Sequence, residues 1–122
     1  MAIDIIMFHY VRNNEEQDFD TFNRRINEFY AQIDFFRKDS FILNPLDIDA
    51  IHYYLNNKDE KAYLLTFDDG LIDHYFCAKF LASRDLNAYS FPPINSIKGN
   101  LLDVHAIHIL LGKRGISTKI LL

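Results

Sequence analysis

Tyr63-Leu64-Leu65-Thr66-Phe67 leads directly into Asp68-Asp69-Gly70, and this stretch decides the fold. The β-favouring run follows a charged turn at residues 58–60 and predicts a central strand over residues 63–67. The two acids and the glycine predict the start of a helix over about residues 71–84. In proteins built from parallel strands and helices, functional side chains gather at the carboxyl ends of strands. Asp68 and Asp69 are therefore candidates for a site.

The rest of the chain also alternates between strand and helix patterns. Continuous apolar residues predict buried strands, and apolar residues that recur every three or four positions predict amphipathic helices. The predicted elements are strands over residues 3–11 and 88–91, helices over residues 21–36, 47–55 and 101–111, and a tail over residues 116–122 that suits a strand or the start of a helix. We predict an α/β fold with a mainly parallel sheet.

Two sets of side chains carry further expectations about these helices. The candidate N-caps of the helix over residues 21–36 are Asp18, Asp20 and Thr21. The side chains expected to face inward from the helix over residues 71–84 are Ile72, Tyr75, Phe76 and Phe80.

Length and composition limit the classes to which the protein can belong. Its 122 residues correspond to a single domain over residues 1–122, and with 49% apolar and 25% charged residues it can bury a core. A net charge of −4, with the basic residues scattered, gives no reason to expect binding to nucleic acid. The single Cys77 excludes an intramolecular disulfide. We recognise no signal peptide and no bilayer-spanning stretch, so the expected location is the cytoplasm.

The adjacent carboxylates of Asp68 and Asp69 allow two explanations. Two such groups repel each other unless a cation lies between them or one keeps its proton, which suits a metal ligand beside a general base. Alternatively, one of them caps a helix by accepting backbone N–H groups, and Gly70 eases the turn. Helix caps are far commoner than active sites, so the residues alone favour the cap.

Two histidines lie near the predicted strand ends. His9 ends the first predicted strand, so it emerges on the same rim as Asp68 and Asp69 if the two strands are parallel. There it either lines a site or is a hydrogen-bonded core residue. In the first turn of the next helix, Asp73 is expected to interact favourably with the helix dipole, and His74 to be solvated surface.

Three other side chains have a chemical and a structural explanation. His105 and His108 are three residues apart and share a helix face, so they can hold zinc, but their apolar neighbours favour a packing role. Cys77 lies on an apolar helix face without a basic neighbour, which indicates a core residue rather than a nucleophile.

Thr66-Phe67-Asp68-Asp69-Gly70 resembles the first signature of the polysaccharide deacetylase family. Three further stretches resemble parts of one branch of that family, in the same order along the chain. Residues 8–12 are similar to its opening strand, residues 73–75 to the segment after the signature, and residues 101–108 to an inserted helix.

The resemblance implies a partial (β/α) barrel with a mainly parallel sheet and flanking helices. The implied activity is a hydrolase that removes acetyl groups from N-acetylated sugars of a polysaccharide or a cell-surface glycan. By resemblance, Asp68 is the general base, Asp69 binds a divalent metal, commonly zinc, and His9 and Tyr10 line the site. The implied partner is an acetylated carbohydrate.

The family completes its site with residues that do not follow in this sequence. These are two histidines in a later His-Ser/Thr-x-x-His motif, an arginine–aspartate pair and a further histidine. The segment from His105 to His108 is one residue short of the motif and lacks its hydroxyl residue. Because catalytic zinc sites normally use three protein ligands, we expect the 122 residues alone to be inactive.

The sequence leaves two other functions open. In the first, the chain is a non-catalytic remnant that acts as an oligomerising interaction module. In the second, it is a small metal-binding protein that uses Asp69, His105 and His108. An incomplete barrel leaves a strand edge and part of its inner face uncovered. We therefore expect the chain to self-associate as a homo-oligomer or to close its sheet with residues 116–122.

Overall fold

The computed structural model of the chain describes residues 2–12 and 24–112, the last five of them in their backbone alone. Within those residues, strands and helices alternate as predicted. The strands are β1 (Ile3–Phe8), β2 (Val11–Arg12), β3 (Arg24–Arg25), β4 (Phe41–Ile42), β5 (Ala62–Asp68) and β6 (Tyr89–Phe91). The helices are α1 (Ile26–Asp39), α2 (Ile48–Asn56), α3 (Asp73–Ala82), α4 (Ile94–Ile97) and α5 (Asp103–Gly112).

Strand β5 is the centre of a four-stranded parallel sheet. Along one edge it pairs with β1, from Ile3 opposite Ala62 to Phe8 opposite Phe67. Its other edge is shared, because β4 pairs with the start of β5 and β6 with its end. In the described part of the chain β1 pairs with β5 alone, so the sheet is open there. The prediction of a mixed α/β fold with a mainly parallel sheet is confirmed.

The main core lies on the face of the sheet that α1 and α3 cover. Alternate residues of β5 point to opposite faces, and Leu65 and Phe67 point to this one. They pack against Phe29 and Ile33 of α1 and against Cys77 of α3. A smaller cluster lies on the opposite face, where α2 packs over the amino end of β5; its members are Leu43, Ala62, Leu64, Ala50 and Ile51.

Strand β1 is less buried than its apolar sequence predicts. Ile5 is 63% exposed and Met7 55% exposed, both on the face opposite the main core. The continuous strand expected over residues 3–11 also ends at Phe8, and the chain pairs again only as β2. An apolar run indicates burial on both faces only when both faces have a cover. On this face Ile3 packs against the smaller cluster, whereas Ile5 and Met7 are left largely uncovered within the described residues.

Helix α3 presents a different face to the core from the one predicted. Ile72, Tyr75 and Phe76 are each more than half exposed, whereas the buried residues are Asp73, His74, Cys77 and Leu81. Asp73, Cys77 and Leu81 are four residues apart, so they form one stripe along the helix. The expectation for Ile72, Tyr75 and Phe76 was wrong because the polar contacts of Asp73 and His74 set the rotation of the helix.

Cys77 is a core residue, as predicted. Its side chain is fully buried against the sheet. Burial raises the pKa of the thiol to about 12, and the charge of Asp73 adds to the shift. The thiolate that a nucleophile requires is therefore scarce at neutral pH.

The start of α2 agrees with the sequence, because Asp47 caps this helix by accepting a hydrogen bond from Ala50 N at 2.9 Å. Helix α1 begins at Ile26 and not at residue 21, because Arg24 and Arg25 form β3. The backbone N–H of Arg25 donates to the carboxylate of Glu28 at 2.9 Å. The candidate caps Asp18, Asp20 and Thr21 and the tail over residues 116–122 lie outside the described residues. No helix in the described part of the chain is long and apolar enough to cross a membrane.

Candidate functional site

The carboxyl end of β5 turns sharply into α3. Asp69 has φ 73° and Gly70 has φ 63°, both in the left-handed region. A Cβ on Gly70 would lie 2.8 Å from Ser96 Oγ and 3.0 Å from Pro92 Cβ, so only glycine suits this position. Helix α3 begins at Asp73 without a side-chain cap. Neither Asp68 nor Asp69 therefore caps this helix, and the turn presents both carboxylates at the strand end.

The carboxylate of Asp69 lies between two histidines from different elements. His9 Nδ1, just past the end of β1, donates to Asp69 Oδ2 at 3.1 Å. His105 Nε2, from α5, lies 3.4 Å from the same oxygen. The prediction that His9 lies within reach of Asp69 is confirmed. The contact with His105 joins the far end of the described chain to β1 and β5.

His105 is the inner member of this group, and its Nε2 atom has no hydrogen bond. The residue is 7% exposed, and Nε2 is buried without a well-aligned partner among the described residues, although Asp69 Oδ2 is close. The His9 side chain is 48% exposed, and the Asp69 side chain is 22% exposed. The group therefore runs from a buried imidazole nitrogen through a carboxylate to an imidazole at the surface.

Tyr10 borders the group. Its ring centroid lies 5.7 Å from that of His105, and the Arg12 guanidinium carbon lies 5.3 Å from the Tyr10 centroid on the other side. Burial raises the pKa of the Tyr10 phenol, and the charge of Asp69 raises it further while Arg12 opposes the change. Tyr10 therefore keeps its proton at neutral pH.

Asp73 and His74 hold the segment that carries His9 and Tyr10. Asp73 accepts hydrogen bonds from Val11 N at 3.3 Å and from Arg12 Nη1 at 3.0 Å. His74 Nε2 donates to the carbonyl oxygen of His9 at 2.8 Å. Because a carbonyl only accepts, Nε2 carries the proton, and Nδ1 is buried without a partner among the described residues.

The sequence interpretation of His74 as a surface residue was wrong, whereas Asp73 lies in the first turn of α3 as expected but is buried, which was not predicted. Asp73 and His74 are 6% and 8% exposed. Burial raises the pKa of the Asp73 carboxyl, and the nearby Arg12 charge opposes that change. One sequence signal was available, because Cys77 and Leu81 follow Asp73 at intervals of four and place it on a buried stripe.

His74→Ala is expected to lower the free energy of unfolding by about 1–3 kcal/mol, because the carbonyl of His9 loses its donor in a part-buried hydrogen bond. Urea denaturation measures the loss. His52→Ala is the matched control, since His52 is an exposed histidine on α2, and it is expected to change stability by less than about 0.5 kcal/mol. Equal losses in the two variants would contradict the role given to His74.

The remaining candidate residues are placed as follows. Asp68 is half-buried and, by strand alternation, shares the sheet face of Leu64 and Thr66 rather than that of the main core. His105 contacts Asp69, whereas the side chain of His108 lies outside the described residues. The sequence brought His105 and Asp69 together only in the alternative of a small metal-binding protein, and no local pattern favoured their contact because the two are far apart along the chain.

Across the described residues, no group of three or more His, Cys, Asp or Glu side chains is arranged to hold a metal ion. The contacts of His9 and His105 with Asp69 are a hydrogen bond and a close approach of an imidazole to a carboxylate, respectively.

Comparisons of the chain with protein-family models, with curated proteins and with solved structures found no match.

Proposed function

We propose that the protein is a metal-dependent hydrolase that removes acetyl groups from N-acetylated sugars of a polysaccharide or surface glycan. One observation carries the proposal. Asp68 and Asp69 lie at the carboxyl end of the central strand, and His9 and His105 both contact the carboxylate of Asp69. This arrangement supports the role that the signature resemblance implies for the two acids.

Each residue has one task in the proposed reaction. Asp69 anchors a divalent metal, zinc by resemblance, which when bound supplies the positive charge that polarises the acetyl carbonyl. Asp68 takes the proton from the attacking water, since it is the neighbouring carboxylate and is not engaged in capping α3. Tyr10 keeps its phenolic proton and lines the site beside His105.

The barrel is part of this proposal. The parallel neighbours β1, β5 and β6 are compatible with consecutive strands of a (β/α) barrel, whose inner face would include Ile5 and Met7 of β1 together with Leu64 and Thr66 of β5. The exposure of Ile5 and Met7 supports it, because strands of a closed barrel carry apolar side chains on this face. Asp68 lies at the mouth of that face, where sites of such barrels form.

Acetate release from N-acetylated chito-oligosaccharides tests the proposal. The protein expressed from its full reading frame is expected to release acetate with zinc and to lose activity with a chelator. Asp68→Asn is expected to lower the rate by about 10²–10⁴-fold, the usual contribution of a general base. Asp59→Asn, at an exposed acid in the turn before β5, is the control and should leave the rate unchanged.

Two results would count against the proposal. One is the absence of acetate release from all N- and O-acetylated sugars by the metal-loaded protein. The other is an equal rate in Asp68→Asn and in Asp59→Asn. The 122 residues alone are expected to release none, because the family's later histidines and its arginine–aspartate pair do not follow in them.

The second candidate function is a non-catalytic module that self-associates. The exposed apolar residues Ile5 and Met7, on a strand with an unpaired edge within the described residues, favour it. This function requires self-association of the chain but no acetate release, so measuring both properties distinguishes the two candidate functions.

A further inference from the structure

We infer that the exposed ring of Phe91 is the platform on which one pyranose ring of the sugar stacks, beside Asp68. The inference rests on the proposed function, because the sugar is the substrate proposed there. It deepens that function by naming a residue that binds the substrate. Phe91 lies outside the stretches that resemble the family, so this role comes only from its place in the sheet.

Phe91 is the direct neighbour of Asp68 in the sheet. The ladder between β5 and β6 pairs these two residues. Paired residues of adjacent strands project from the same face, and the strands lie about 4.7–4.9 Å apart. Tyr89, two residues before Phe91, packs with Leu64 in the smaller cluster, which identifies this face as the one opposite the main core. The ring of Phe91 therefore lies next to the Asp68 carboxylate on that face.

The ring of Phe91 is exposed, but the structure around it is well anchored. The residue is 56% exposed. Its ring centroid lies 5.7 Å from that of Tyr89, whose hydroxyl donates to the carbonyl oxygen of Pro45 at 2.8 Å. The next residue, Pro92, lies so close to Gly70 that a Cβ added there would be 3.0 Å from Pro92 Cβ. The end of β6 is therefore held against the turn that carries the two acids.

An exposed aromatic ring beside a carboxylate suits a neutral sugar. The C–H groups on one face of a pyranose ring carry partial positive charge, and the face of a phenyl ring is the negative part of its quadrupole, so the two faces attract. A pyranose carries its hydroxyl and acetamido groups around the edge of the ring. A sugar stacked on Phe91 therefore brings one of these groups to the neighbouring carboxylate of Asp68.

Phe41 shows that exposure alone does not distinguish such a platform. It is 55% exposed, and its ring lies 6.1 Å from that of Tyr54. It belongs to β4, which pairs with β5 as β6 does, but its partner is Ala62 at the other end of β5. Six residues of extended strand separate Ala62 from Asp68, a distance of about 20 Å. Phe41 is therefore a matched residue that cannot contact a sugar at Asp68.

Steady-state acetate release by the protein expressed from its full reading frame tests the inference. Phe91→Ala is expected to raise the KM for N-acetylated chito-oligosaccharides by about tenfold, equivalent to about 1.4 kcal/mol of binding free energy. Its effect on kcat should be much smaller, because the ring binds the sugar and transfers no proton. Phe91→Tyr keeps the aromatic face and should retain the KM, and Phe41→Ala should leave it unchanged.

Saturation-transfer NMR detects the stacking without turnover. In the Asp68→Asn variant, the ring C–H protons of one unit of triacetylchitotriose are expected to receive saturation from the protein. Adding Phe91→Ala should abolish this transfer, and adding Phe41→Ala should not. Circular dichroism establishes that each variant is folded. Phe91→Leu, which keeps an apolar side chain without an aromatic face, replaces Phe91→Ala if that variant does not fold.

The outcomes separate the inference from the proposed function. Acetate release with equal KM in Phe91→Ala and Phe41→Ala would overturn the inference and leave the proposed function intact. Saturation transfer that depends on Phe91 but not on Phe41, without acetate release by the metal-loaded protein, would support the stacking site and contradict the proposed function. Absence of both saturation transfer and acetate release would contradict both.

Discussion

Phe29→Ala is expected to lower the free energy of unfolding by about 3–5 kcal/mol, a large part of the roughly 5–15 kcal/mol that stabilises a typical domain. Phe29 of α1 is fully buried. Its ring contacts Phe8 of β1 at 5.0 Å, Phe80 of α3 at 5.8 Å and Phe67 of β5 at 6.1 Å, measured between centroids. The substitution opens a cavity where three elements meet.

Urea denaturation measures this loss, with the dependence of the unfolding free energy on urea concentration held equal for all variants. Phe35→Ala is the matched control, because Phe35 lies on the same helix but is 59% exposed, so its loss should stay below about 1 kcal/mol. If the two variants lose equal stability, Phe29 is not the centre of the core.

Replacing Ile5 and Met7 by threonine is expected to weaken self-association of the chain by at least about tenfold. Both residues are more than half exposed on β1, whose outer edge is unpaired in the described residues. Burying one such side chain contributes about 1.5–3 kcal/mol, and 1.4 kcal/mol corresponds to a tenfold change in an association constant. Threonine retains the strand preference, so β1 itself should persist.

Light scattering over a dilution series measures the association, and hydrogen exchange of the amides of residues 116–122 reports whether that segment covers the sheet instead. The control is Leu46→Thr with Ile97→Thr, at apolar positions that are 83% and 70% exposed but lie outside β1. A chain that stays monomeric at every concentration and whose residues 116–122 exchange freely would contradict both the predicted self-association and the predicted closure of the sheet by that segment.

Local patterns predicted much of the fold. The run that ends at Phe67 is a strand because its residues favour extended backbone and pack on both faces, and it lies at the centre of the sheet. Helix α2 begins where Asp47 can cap it. The two-residue strands β2, β3 and β4 and the short helix α4 were not predicted, because segments of two to four residues are too short to show a periodic pattern of apolar residues.

The sequence predicted less accurately which face of each strand or helix is buried, because a face is buried only if another element covers it. The apolar sequence of β1 predicted burial, but Ile5 and Met7 have no cover in the described residues. Similarly, Asp73 and His74 of α3 are buried and Tyr75 is exposed. Asp73 and His74 form hydrogen bonds with the backbone of residues 9 and 11 and with the side chain of Arg12.

The sequence by itself determined which acids stand at the end of the central strand, since Asp68 and Asp69 follow Phe67 directly and parallel strands place such residues at one rim. It also predicted that His9 would emerge on the same rim if the two strands are parallel, and His9 does contact Asp69. Only the tertiary structure decided that His105 reaches Asp69 Oδ2 at 3.4 Å and that neither acid caps α3. The physical reason is that these outcomes depend on where a distant helix packs and how a helix is rotated, and long-range packing leaves no local pattern in the sequence.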